Sequence, residues 1–249
     1  MQKVIAPTSR LVRILERNSM NTNNQEKDYL IIQQDFCNFY KVDFEAVKEF
    51  NSKVISLTQQ DISLGALKAL FNALGDLEQN LDYCQNLLTL SKSNEMKQKN
   101  QEKSLFDLFL YLLLVEGVFS KIVQIITSLL MEKDHDIYDP QEMEFVSKYD
   151  KLERIPLFIK LQFLEKHGFE FITQSVDREL RNCIAHIDII VKEDGTIVNK
   201  RTDKPIHNLR QKTNQLIGVI SIAICILDYA LKKGSKIKQP TKKFSDAKT

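Results

Sequence analysis

The sequence has little that punctuates a chain: 7 glycines and 5 prolines among 249 residues, and no tryptophan. Tight turns draw on residues that accept left-handed backbone or fix φ, so this scarcity argues against an architecture built on many hairpins. The four cysteines, Cys37, Cys84, Cys183 and Cys225, stand far apart, with no Cys-x-x-Cys pair. That argues against a structural zinc site. Cys183 and Cys225 fall in apolar stretches and read as small core hydrophobes in a reducing compartment. A phosphate-binding glycine loop, a Gly-x-Ser-x-Gly elbow and a His-Glu-x-x-His helix are also missing, so nucleotide hydrolysis and protease chemistry lack support.

Long apolar runs are missing too. Between Leu105 and Leu130 the longest is Leu108 to Val115, and Asp107, Glu116, Lys121 and Gln124 interrupt the stretch. Such a run is too short to span a bilayer and suits a buried bundle helix. Arg10, Arg13 and Arg17 break any secretory pattern near Met1. The expectation is a cytoplasmic protein with no membrane segment.

What is present is abundant Leu, Ile, Lys, Glu and Gln, which favours long helices. Net charge is +2, but the end from Lys232 to Thr249 concentrates Lys232, Lys233, Lys236, Lys238, Lys242, Lys243 and Lys248 against Asp246. That end reads as a solvated, disordered tail or as a loose electrostatic arm for RNA. Lys232, Lys233 and Lys236 are the candidate substrate contacts.

Helical spacing places helices at Tyr29–Tyr40, Phe44–Leu57 and from an Asp61 cap to about Leu90. The polar run Ser91–Ser104 is the best linker. A long, centrally buried helix follows at Leu105–Lys133, then a polar loop at Asp134–Gln141. Short helices are expected at Glu142–Tyr149, Leu157–Lys166 (ended by His167-Gly168) and Gln174–His186. Asp194-Gly195 between β-prone runs signals one hairpin. A last helix runs from Asn208 to Lys233. The expected fold is an all-α bundle of four or five core helices with one small β-hairpin after the motif helix. Its expected divisions are an additional N-terminal helical region (1–100), a helical domain (101–233) and a tail (234–249).

The segment Glu179–His186 reads ELRNCIAH. On a helix, Arg178, Asn182 and His186 are spaced four apart and share a face, with Arg181 on its flank. Leu180 and Ile184 form the opposing apolar pair. RNA carries its own nucleophile, the 2′-hydroxyl, so a protein that cuts it must move protons and stabilise phosphate charge. Histidine does the first near neutral pH. Arginine does the second, and an amide orients imidazole or phosphate. Plainer readings stand beside these. His186 suits the negative end of a helix, Arg181 suits an ion pair with Asp177 or Glu179, and Asn182 suits a backbone brace. Glu116, a carboxylate in an apolar helix, needs a partner, and Arg178 and Arg181 are the candidates.

Arg181-Asn182-Cys183-Ile184-Ala185-His186 resembles the motif of the HEPN superfamily, an Arg and a His separated by four to six residues, here with Asn after Arg and Ala before His. The similarity covers Leu105 to Lys233. It implies a dimerising helical bundle whose two motifs face each other. It also implies a metal-independent endoribonuclease without cofactors, acting as a toxin with an antitoxin partner or in phage defence. Arg181, His186 and Asn182 would be catalytic, and Glu116 and Arg178 supporting. The alternative is a non-catalytic HEPN module that binds RNA or a protein. A second polar cluster, Asp134, His135, Asp136 and Asp139, reads as a loop without metal.

Overall fold

The computed structural model describes Gln34 and residues 37–59, 62–92, 100–133, 136–139, 143–146 and 149–234. Asp43 opens the first long helix, α1 (Phe44–Thr58), by accepting the Glu45 N–H at 2.9 Å. Val47, Phe50, Val54 and Leu57 then fall on one buried stripe, as their spacing requires. Helix α2 (Leu64–Lys92) begins at Ser63, whose hydroxyl accepts the Ala66 N–H at 3.2 Å. The expected cap, Asp61, lies outside the described residues, as does most of the helix expected at Tyr29–Tyr40.

Helix α3 (Asn100–Leu113) starts five residues before the expected Leu105, so Asn100–Ser104 is helix rather than linker. It runs through a π turn, Leu114–Phe119, into α4 (Ser120–Met131). From Ile122 to Met131 every residue of α4 is buried. Its polar residues bond within the helix: Thr127 Oγ1 donates to Val123 O at 2.7 Å and Ser128 Oγ to Gln124 O at 2.9 Å. Helix α4 is therefore the axis of the bundle, and α1 and α2 pack on it.

Two short elements correct the sequence reading. The helix expected at Glu142–Tyr149 is not seen in its described residues before Tyr149. Glu144–Val146 is strand β2, paired antiparallel with β1 (Ile137–Asp139) inside the expected loop. Ile137 and Val146 face inward and Tyr138 and Phe145 outward, an alternation too brief to stand out in sequence. The expected helix from Gln174 breaks as well. After α5 (Tyr149–Leu152) and α6 (Leu157–Lys166) comes a single turn, α7 (Glu170–Thr173). The motif helix α8 spans Arg178–Ala185, because the Asp177 carboxylate caps it by accepting the Leu180 N–H at 2.9 Å.

The expected hairpin is present as β3 (Ile189–Val191) and β4 (Ile197–Asn199), so the described residues hold two antiparallel strand pairs where the sequence predicts one. Gly195, at φ +86, makes its turn, and a Cβ there would lie 2.9 Å from Asn100 O. Helix α9 (Leu209–Gly234) closes the bundle against α1 and α3. One core runs from Cys37 to Ala230, so both sides of the sequence division near residue 100 share it. Two helical runs, Asn100–Met131 and Leu209–Leu231, are long and apolar enough to cross a membrane, and 61% and 56% of their apolar windows are buried within the fold.

Lys160 on α6 is the odd member of this interior. It is 5% exposed and forms no ion pair among the described residues. Burial, and then the neighbouring Lys121 charge, push its pKa down to about 8, with Glu153 pulling the other way. The folded value is thus below the unfolded one, so between pH of about 8 and 10.5 the unfolded chain holds more protons and stability rises with pH. Lys160→Met should raise the unfolding free energy at pH 7 by roughly 2–3 kcal/mol. Urea titrations should show that gain shrinking to nothing by about pH 10.5.

Candidate functional site

Helix α8 is short, and neighbouring elements hold it at both ends. At its start, the Asp177 N–H donates to the Tyr111 hydroxyl of α3 at 3.3 Å. Lys212 of α9 pairs with the Asp177 carboxylate. Burial works to raise the pKa of Asp177. The N–H groups of Leu180 and Glu179 and the Lys212 ammonium outweigh it, so the carboxyl stays below its ordinary range. In the middle, Leu180, Cys183 and Ile184 are buried against the bundle. That leaves Asn182 and His186 exposed and Arg181 half-buried.

The far end is built with strain. His186 is the last residue of helical character, and Ile187 follows with φ +57. The Asp188 N–H donates to Cys183 O at 2.8 Å and the Ile187 N–H to Ile184 O at 3.1 Å. These two bonds form a Schellman closure, which ordinarily places glycine where Ile187 stands. A β-branched residue there is costly. The second hairpin clamps it. The Lys200 N–H donates to Asp188 O at 2.9 Å, and Lys200 Nζ to Ile187 O at 2.9 Å. Asn199 Nδ2 donates to the Cys183 sulfur at 3.0 Å. The hairpin is in turn tied to α3, where Gln101 Nε2 reaches Val191 O at 2.9 Å and Ser104 Oγ reaches Gly195 O at 2.7 Å.

Arg181, Asn182 and Glu116 come together. Arg181 Nε donates to Glu116 Oε1. Its Nη1 donates to Asn182 Oδ1 at 3.0 Å. The pair is partly open, with side chains 30% and 38% exposed, so it orients the guanidinium more than it stabilises the fold. The side chain of His186 makes no hydrogen bond or ion pair with the described residues, and it stands at the helix end beyond Asn182. Arg178 goes elsewhere. Its guanidinium pairs with Glu165 of α6 at 3.4 Å and lies 5.3 Å over the Phe158 ring. The same-face spacing of Arg178, Asn182 and His186 therefore does not bring the Arg178 head to the group.

The side chains of Lys232 and Lys233, and Lys236 altogether, lie outside the described residues, as do Asp134 and His135. Sequence reasoning missed Asn199, Lys200 and Lys212, which position the motif helix without belonging to any motif.

The strained closure yields a test. The Ile187 side chain is 71% exposed, so little burial is lost on removing it. Ile187→Gly should raise the unfolding free energy by roughly 1 kcal/mol, relief of backbone strain exceeding the added chain entropy. Equal or lower stability in urea titration would mean the backbone is relaxed there.

Compared with known protein families, with curated proteins and with solved structures, the chain matches none.

Proposed function

We propose that this chain is a metal-independent endoribonuclease of the HEPN type, a cytoplasmic toxin or phage-defence effector working as a homodimer. The observation that supports it best is the group on α8: an oriented guanidinium beside an amide, one helical turn from an exposed imidazole. Arg181 keeps Nη2 unengaged among the described residues, with Nε and Nη1 held. A guanidinium held at Nε and Nη1 with Nη2 open suits an incoming phosphate oxygen.

In the proposed reaction His186 takes the proton of the 2′-hydroxyl as that oxygen attacks the adjacent phosphorus. Arg181 stabilises the charge that builds on the phosphate, and Asn182 orients it. The P–O5′ bond breaks, and the leaving 5′-oxygen must be protonated. One motif supplies one histidine, so a second copy facing the first would supply the acid. The products are a 2′,3′-cyclic phosphate and a 5′-hydroxyl, and the scheme calls on no metal.

One feature favours the second reading, a module that binds RNA or a protein without cutting. Glu116 gives Arg181 a counter-charge on the very side chain meant to meet phosphate, which weakens its field. Cleavage of labelled RNA in excess EDTA separates the two. The wild type should cut and leave cyclic ends. His186→Ala and Arg181→Ala should each lower the rate by at least about 100-fold. A folded wild type that binds RNA and does not cut it would leave the binding module.

A further inference from the structure

We propose that Asn80 is a positioning residue for Arg181, acting through the π turn and Glu116. A π turn replaces the i→i+4 ladder with wider bonds and leaves carbonyls short of donors. Two side chains add donors to carbonyls of this turn. Ser120 Oγ donates to Glu116 O, and Asn80 Nδ2 donates to Gly117 O at 2.9 Å. With the carbonyls of both residues held, the backbone of Glu116 is fixed on its C-terminal side, and its carboxylate meets Arg181 Nε.

Asn80 belongs to α2, in the first hundred residues, and forms no hydrogen bond with Arg181, Asn182 or His186. Its influence passes through backbone. The packing of α2 rests on other residues, because Leu70, Ala73 and Leu77 are buried and Asn80 is only half-buried. Removing its amide therefore separates aim from packing. The proposal also gives α2 a part in the site, which the sequence left without a role.

The test uses the full chain labelled with nitrogen-15 and two readouts. The first is exchange of the Arg181 Nε–H with water, followed by NMR, which owes nothing to catalysis. The second is RNA cleavage with kcat and KM separated, which rests on the nuclease reading. Asn80→Ala should speed the exchange on the order of five-fold, the equivalent of one net hydrogen bond. It should lower kcat and leave KM unchanged. In a Glu116→Ala background the same substitution should change neither, because the path is already cut. Ser120→Ala, which frees the other carbonyl of the turn, should speed the exchange too and decides the matter if Asn80→Ala folds poorly. Unchanged exchange in both single variants overturns the proposal, as does an Asn80→Ala loss of equal size with and without Glu116. Faster exchange in a protein whose wild type cuts no RNA would uphold the positioning role and remove only the nuclease reading.

Discussion

Between Leu114 and Phe119 the central helix widens to a π turn, and the packing on either side of it has to fit the consequence. One extra residue in a turn rotates the face of the helix beyond it by about 100°. Before the turn, α3 buries Leu108, Leu110 and Tyr111 and sends Tyr111 to the start of the motif helix. After it, α4 is buried all round from Ile122 to Met131. The first segment packs against α8 and α9, and the second sits among α1, α2 and α6. Within the turn, Glu116 keeps a partly open position that an apolar core helix would otherwise deny a carboxylate.

The motif helix shows the complementary constraint. With only Arg178–Ala185 in helix, α8 cannot hold itself by its own hydrogen bonds. Its start is fixed by Asp177, Tyr111 and Lys212, and its end by the second hairpin. Those clamps over-determine the backbone enough to keep Ile187 in the left-handed region. The fixed end is what sets His186 out in solvent with a defined direction for its Cα–Cβ bond.

Much of the scaffold was legible in advance. The stripe on α1, the Gly168 stop after α6, the long closing helix and the Asp194-Gly195 turn all came through, because each rests on local rules of spacing or turn chemistry. Glu116 reads from the sequence as a carboxylate in need of a partner, and Arg181, one of two candidates, is that partner. What escaped depends on tertiary context. Nothing in LVEGVF announces a π turn, and the Asn80 amide that bonds Gly117 O comes from a distant helix. Ile187 carries no glycine to mark the helix end. Strands of three residues, as in β1 and β2, are shorter than the window in which periods two and 3.6 can be told apart. Arg178 followed the aromatic ring and carboxylate of α6, which helical spacing alone does not reveal.

The Arg181–Glu116 pair then bears on the proposed chemistry in two opposing ways. As a counter-charge, Glu116 lowers the field that a phosphate would meet. As a brace, it removes the rotamer freedom that a long arginine side chain would otherwise lose on binding. The partial exposure of both side chains decides which effect dominates. Solvent screens the attraction, so an exposed pair is worth at most about 1 kcal/mol. In the same solvent, an arginine–phosphate contact made by two parallel charge-assisted N–H bonds is stronger than a pair made by one. An arriving phosphate can therefore share the guanidinium without displacing Glu116, using Nη2 and the second hydrogen of Nη1. On that account the acid residue costs the site some attraction and returns orientation, which is the scarcer quantity on an exposed helix end.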